Sequence, residues 1–233
     1  MKKGILVQAR MGSTRLRGKS LLPLQKNLNV VDAVYKRCMK SKCKDIVVFC
    51  ISNSSVDDVL FEDLKHKGIH VYRGDENNLV ERFFRACEKF EIDQFVRVTG
   101  DSPLVDPKVI DMFFEVDQKI DFVDGYSPHK LPGGTVVSRF NVNIIKLLND
   151  EEQCESHLEH VVTSQLIKSN YEIKIPEKWN NPMARYSLDY EEDYSTLKIM
   201  FKNDGIIDMD TDEIIELYFS RRMPNHKYAI NGY

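Results

Sequence analysis

Short β-branched runs alternate with stretches of helical periodicity through the first hundred residues, and this alternation constrains the fold more than any other feature. Residues 4–8, 45–51 (DIVVFCI), 69–73 and 94–99 (QFVRVT) read as strands, and residues 29–39, 56–67 and 79–90 read as the helices between them. Strands and helices spaced in this way form βαβ units, which close into a parallel sheet through right-handed crossovers. The expected class is therefore α/β, with a mostly parallel central sheet and flanking helices. Ligands of such sheets sit beyond the carboxyl ends of the strands. That rule singles out the loops after Gln8, Val71 and Val98.

The second half is less regular. Residues 107–116 read as a helix opened by Asp106 as cap and Pro107 at its first position. Residues 127–134 read as a loop, 135–140 as a strand, and 142–148 and 156–167 as helices. Residues 171–175 alternate like an edge strand, 185–188 return as a strand, and 191–201 and 212–222 close the chain as helices. With no repeat or low-complexity run, the 233 residues read as a single domain with an inserted arm near 125–185. A hydrophobic share of 42% is ample for its core.

A formal charge of -3 offers no blanket attraction to nucleic acid or to an acidic membrane. Any anion site must come from a local cluster. No apolar run approaches the roughly 18 residues a spanning helix needs. The first apolar segment, Ile5-Leu6-Val7, is too short for a signal peptide, so a cytoplasmic protein is expected. The five cysteines (Cys38, Cys43, Cys50, Cys87 and Cys154) include no C-x-x-C pair and read as reduced thiols.

The chemistry concentrates in three segments. The first, QARMGSTRLRGK at residues 8–19, follows the first strand and carries Arg10, Arg15, Arg17 and Lys19 without an acid. Gly12 and Gly18 stand where the backbone must turn tightly. The hydroxyls of Ser13 and Thr14, with free backbone N–H groups, can join these cations around a phosphate chain. The segment fits neither G-x-x-x-x-G-K-[ST] nor G-x-G-x-x-G, so P-loop and dinucleotide readings lose their support. The second segment, TGDSPLVDP at residues 99–107, puts Asp101 at a strand end, placed to hold a divalent cation such as Mg²⁺. The third, SLDYEEDY at residues 187–194, offers Asp189 as a second carboxylate. The acids after it read mainly as helix-start charge.

These segments, together with YRGDENNLVERF at residues 72–83, resemble the SpsF-like polysaccharide-biosynthesis branch of the cytidylyltransferases. That branch is related to the synthetases of CMP-3-deoxy-manno-octulosonate and CMP-acylneuraminate. The motifs occur in order over nearly the whole chain. The resemblance implies a nucleotidyltransferase fold of the glycosyltransferase-A type, with CTP under the first loop and Mg²⁺ as cofactor. Arg10, Ser13, Arg15 and Lys19 would then bind the triphosphate, and Arg73 and Asp75 would line the nucleotide pocket with Gln8, Gly12 and Thr99. Asp101 and Asp189 match the metal-binding aspartates, and His160 lies in a loosened Glu-His-Val-Thr motif that would touch substrate. A homodimer through the arm is also implied.

Two departures stand out. Residues 16–19 read Leu-Arg-Gly-Lys where the family has Leu-Pro-Gly-Lys, and residues 131–140 lack the acids of the family's second arm and carry Arg139. The expectation is that Arg139, with Lys130 and His129, binds a carboxylate or phosphate of an anionic acceptor. The expected reaction is transfer of CMP from CTP to a sugar acid with release of pyrophosphate. A phosphorylated or phosphonate acceptor giving a CDP-linked product, a different nucleotide base, and a catalytically inactive nucleotide-binding protein remain as alternatives.

Overall fold

The computed structural model describes residues 1–125, 131–150, 171–221 and 223–224. Within these residues eight strands run in chain order: β1 (Lys3–Gln8), β2 (Pro23–Gln25), β3 (Leu28–Asn29), β4 (Ile46–Ser52), β5 (His70–Gly74), β6 (Gln94–Thr99), β7 (Phe122–Val123) and β8 (Ser138–Asn141). Six of them form one sheet in the order β5-β4-β1-β6-β8-β7, and β2 and β3 form a separate hairpin. The central ladder is parallel, pairing Gln8 with Cys50 on one side and with Thr99 on the other. Among the described strands of this sheet β8 alone runs against it, pairing Arg97 with Ser138 and Gln94 with Asn141. The carboxyl ends of β1, β4 and β6 thus finish level at one edge.

Among the described residues, seven helices flank the sheet and hairpin: α1 (Val30–Met39), α2 (Asp58–His66), α3 (Leu79–Phe90), α4 (Pro107–Glu115), α5 (Val142–Asp150), α6 (Glu191–Met200) and α7 (Thr211–Phe219). Successive strand residues face opposite sides of the sheet, so a strand buried on both faces must be apolar throughout. Ile5, Val7, Phe49 and Val98 accordingly pack with Val34 of α1, Leu60 of α2 and Phe113 of α4. Leu6, Val48 and Phe95 pack on the other side with Phe83 of α3 and Ile145 of α5. Phe95 lies 5.2 Å from the Phe140 ring and 5.4 Å from the Phe83 ring. Each such buried ring stabilises the fold by about 1.5–3 kcal/mol relative to exposure.

A third core positions the last part of the site. Leu24 and Leu28 of the hairpin join Tyr186 and Leu188, Leu197 and Met200 of α6, and Tyr218 of α7. This cluster carries the chain segment that ends at Asp189. Helix starts follow their caps, and Asp106 accepts the Lys108 N–H at 2.6 Å as the sequence predicts. Its other oxygen takes the Thr211 hydroxyl and lies 3.9 Å from Arg37, tying α4 to α1 and α7. Among the described residues, no helix is long and apolar enough to cross a membrane.

Three sequence expectations shift. Residues 171–175 form no strand: their alternation reflects Ile173 and Ile175 packing on the core without a partner strand. Residues 185–188 make only an isolated parallel bridge between Gly133 and Arg185. The strand expected at 135–140 starts later, at Ser138. The helix expected at 156–167 lies outside the described residues.

Candidate active site

The loop after β1 is pinned at both ends. Asp57, fully buried, accepts the Met11 N–H at 2.6 Å and also the N–H and hydroxyl of Ser52 at 3.1 and 2.6 Å. The carboxylate thereby ties the loop's start to the end of β4. The Ser20 hydroxyl donates to the Arg10 carbonyl at 3.0 Å, and the Gly18 N–H to the Met11 carbonyl at 3.1 Å. Gly18 adopts φ of 71°, a left-handed turn that a side chain resists, and a 3-10 turn (Lys19–Leu21) follows at once. That turn aims Lys19 across the strand ends, while Arg10, Thr14, Arg15 and Arg17 stay exposed on the loop's outer surface.

Lys19 meets both sequence-predicted aspartates. Its ammonium lies 2.5 Å from Asp101 Oδ2 and 3.2 Å from Asp189 Oδ1, and donates to the Leu188 carbonyl at 2.7 Å. Arg15 reaches the same Asp189 Oδ1 at 3.2 Å, with its guanidinium over the Tyr190 ring at 5.3 Å. Behind Asp189, Arg185 contacts Oδ2 at 2.8 Å and grips Asp193 with both Nε and Nη2, at 3.0 and 3.2 Å. Three cations therefore balance three carboxylates, so the cluster is close to neutral. Burial alone pushes the Asp189 carboxyl up, but Lys19, Arg15 and Arg185 outweigh it and hold the group below its ordinary value. Asp189 is ionised at neutral pH.

This donor set suits a hard divalent cation. Mg²⁺ takes one or two carboxylates and completes its shell with substrate oxygens and water. One ammonium within hydrogen-bond distance of both Asp101 and Asp189 means that one cation can reach both. Among the described residues no group of three or more His, Cys, Asp or Glu gathers into a ready-made metal cage. A metal here would depend on oxygens brought by a ligand.

The other predicted residues are placed as follows. Gln8 accepts from the Arg97 guanidinium at 2.7 Å, and the Thr99 hydroxyl pairs with Ser102 at 2.8 Å, both at the strand ends. Ser13 is buried, and its hydroxyl accepts the Leu16 N–H at 3.4 Å inside the loop. Gly12 has no left-handed φ, and a Cβ there would meet only Glu76, at 3.9 Å, so the tight turn expected at Gly12 belongs to Gly18 alone. Arg73 donates to the Ser52 and Ser54 carbonyls at 3.0 and 2.8 Å and pairs with Asp58 at 2.7 Å. Asp75 caps the turn before α3 through the Asn77 and Asn78 N–H groups. Both side chains thus serve the local frame at the end of β5. His160, Lys130 and His129 lie outside the described residues.

Arg139 contradicts its expectation. It is fully buried in β8, and its guanidinium donates to the Val116 carbonyl at 2.9 Å and to the Asp117 and Ile120 carbonyls. Those carbonyls follow the end of α4, on the side where Lys3 at the start of β1 reaches the Phe114 carbonyl at 3.2 Å. Arg139 therefore faces away from the loop cluster. An arginine in a strand can answer an orphaned helix end as well as a ligand, and here the helix claims it. The inference of an unusually anionic acceptor falls with it.

Three participants escape the sequence reading: Asp57, Arg185 and Asp193. The acids at 191–193 look like helix-start charge, yet Asp193 is fully buried and accepts the Asp189 and Tyr190 N–H groups at 2.9 and 3.0 Å. The signal was the i, i+4, i+8 spacing of Arg185, Asp189 and Asp193 across a strand-to-helix turn.

Comparison with known proteins identifies the family. The family model described as "Cytidylyltransferase" matches residues 4–221. The chain is 30% identical over 222 residues to the spore coat polysaccharide biosynthesis protein SpsF of Bacillus subtilis, covering 91% of this chain and 92% of that protein. It is 32% identical over 118 residues to a 3-deoxy-manno-octulosonate cytidylyltransferase of Chlorobium phaeobacteroides, covering 49% of this chain and 45% of that one. A cytidylyltransferase structure from Leptospira borgpetersenii superposes with a TM-score of 0.85 at 30% identity over 94% of each chain. The CTP complex of CMP:2-keto-3-deoxy-manno-octonic acid synthetase shares the fold, with a TM-score of 0.63 at 14% identity over 88% of this chain and 100% of that one. With its first loop, strand-end aspartates and nearly full-length match, the chain belongs to the cytidylyltransferase family and is a CTP-dependent nucleotidyltransferase.

Proposed function

We propose that the protein transfers CMP from CTP to a sugar-acid acceptor, releasing pyrophosphate, in the biosynthesis of a surface polysaccharide. The observation that carries this reading is the ammonium of Lys19 shared by Asp101 and Asp189, at 2.5 and 3.2 Å, beside a loop rich in cations. The SpsF relative supports a role in glycan assembly, and the 3-deoxy-manno-octulosonate cytidylyltransferases support a sugar acid as acceptor. A homodimer through the arm and a cytoplasmic location belong to the same reading.

The near-neutral cluster explains why a cation would be needed. A triphosphate brings several negative charges, and Lys19 and Arg15 are already engaged by carboxylates. Mg²⁺ between Asp101 and Asp189 would supply charge neutralisation at the phosphoryl oxygens. Lys19, competed away from the aspartates by phosphate oxygens, would join Arg15 and Arg10 on the departing pyrophosphate. Backbone N–H groups of residues 12–14 would orient the chain of phosphates. The acceptor hydroxyl oxygen, in line with the α-phosphorus, forms its bond there as the bond to pyrophosphate breaks, and its proton passes to solvent, so the protein's work is alignment and charge stabilisation.

The test is pyrophosphate release from CTP and Mg²⁺ across keto-deoxy sugar acids, sugar 1-phosphates and phosphonates, with ATP, GTP and UTP as controls. Turnover with CTP and a sugar acid is expected. Turnover confined to phosphorylated acceptors would replace the reading by CDP-product chemistry, and CTP binding without turnover on any acceptor would favour an inactive binding protein.

A further inference from the structure

Asp189 divides its two oxygens between two sets of partners. Oδ1 faces the site, 3.2 Å from Lys19 and 3.2 Å from Arg15, whereas Oδ2 faces inward, 2.8 Å from Arg185. Arg185 is itself clamped by the fully buried Asp193 through two nitrogens. A guanidinium fork gripped at two points cannot rotate freely, and its third contact inherits that rigidity. Asp193 also holds the backbone N–H groups of Asp189 and Tyr190.

Packing of Tyr186 and Leu188 in the third core anchors the surrounding chain, and the direction of the Asp189 carboxylate is left to its polar partners. Residues 185–188 form no strand ladder; their backbone bonds include the Gly133 bridge and the Leu188 N–H donated to the Asp101 carbonyl at 2.8 Å. A buried ion network is weak evidence for stability, since apolar residues of similar volume often stabilise as well or better. Its better-supported use is to fix one arrangement among several. We propose that Arg185 is the positioning residue of this site: it locks Asp189 with Oδ1 turned outward, and so sets the affinity of the aspartate pair for a divalent cation in the presence of nucleotide.

The inference rests on the nucleotidyltransferase reading of the site and adds to it a residue that touches neither nucleotide nor acceptor. Lysine at position 185 keeps the charge and loses the fork. Glutamine loses both. Arg185→Lys should therefore keep the fold, yet leave Asp189 free to rotate and to pair more closely with Lys19.

The test measures Mn²⁺ binding by electron paramagnetic resonance, with saturating CTP, on the full chain and its Arg185→Lys and Arg185→Gln variants. Thermal unfolding is recorded alongside. The expected result is Mn²⁺ affinity weakened about tenfold or more in both variants, with CTP affinity measured without metal changed less than threefold. Where Arg185→Gln does not fold, Arg185→Lys decides. Wild-type Mn²⁺ affinity in a folded Arg185→Lys variant overturns the inference alone, making the residue a structural one. Failure of the unmodified protein to bind Mn²⁺ with CTP overturns the reading of the site and the inference with it.

Discussion

The two aspartates that share Lys19 are presented by unlike architecture. Asp101 follows β6, which lies inside the sheet with hydrogen-bonded neighbours on both sides. Asp189 ends a segment with one isolated bridge, held instead by the third core, an ionic clamp and a crossing at Gly134. A parallel ladder fixes a strand end with backbone bonds alone, whatever the side chains. A segment outside the ladder needs particular residues to do the same work, so single substitutions should damage it more.

The largest expected effect breaks that crossing. Gly134 has φ of +93°, and a Cβ there would stand 2.6 Å from the Ser187 nitrogen, a backbone atom that cannot swing aside. Gly134→Ala should cost about 2–3 kcal/mol in a urea titration. A cost below about 0.5 kcal/mol would mean that the crossing does not fix the 185–189 segment.

Next comes Arg139→Met, which leaves the carbonyls after α4 without their donor. A loss of about 1–3 kcal/mol is expected, with the acceptor KM unchanged within twofold. A raised KM at wild-type stability would return Arg139 to the acceptor.

A smaller effect concerns the frame itself. Burial holds the Cys38 and Cys50 thiols up at about 12, from an ordinary 9.0. The folded chain therefore keeps two protons that the unfolded chain releases above pH 9, so stability is full below that point and falls as pH rises towards 12. The fall should be on the order of 1 kcal/mol per thiol between pH 9 and 10. A Cys38→Ala/Cys50→Ala variant should show a shallower decline, and equal slopes would contradict the account.

Gly12→Ala marks the lower end. With only an ordinary contact to Glu76 and no left-handed φ, it should shift stability by less than about 0.5 kcal/mol. The contrast with Gly134 separates a glycine that the sequence merely contains from one that the backbone requires.

The sequence made the frame legible because its signals are local. Period-two and period-3.6 patterns mark β1, β4, β5 and β6 and the helices between them, and strand ends in a parallel sheet mark the site. Asp101 and Lys19 followed from position and chemistry, whereas Asp189 needed the resemblance. Arg139, Asp57 and Arg185 were not legible in this way, since each is defined by a partner distant in sequence or by burial. Alternation at residues 171–175 likewise shows that Ile173 points inward, without supplying the neighbouring strand that a ladder requires.

The central claim is that the carboxylate cluster around Lys19 is where CTP reacts. The direct measurement compares Asp101→Asn with the unmodified protein for pyrophosphate release from CTP, Mg²⁺ and a sugar-acid acceptor, with unfolding temperatures alongside. Asp101 is partly exposed, and losing its pair with Lys19 should cost under about 1 kcal/mol of stability. Activity should fall on the order of 100-fold or more at nearly constant unfolding temperature. Activity within a few-fold of the unmodified protein would contradict the account and place the chemistry elsewhere.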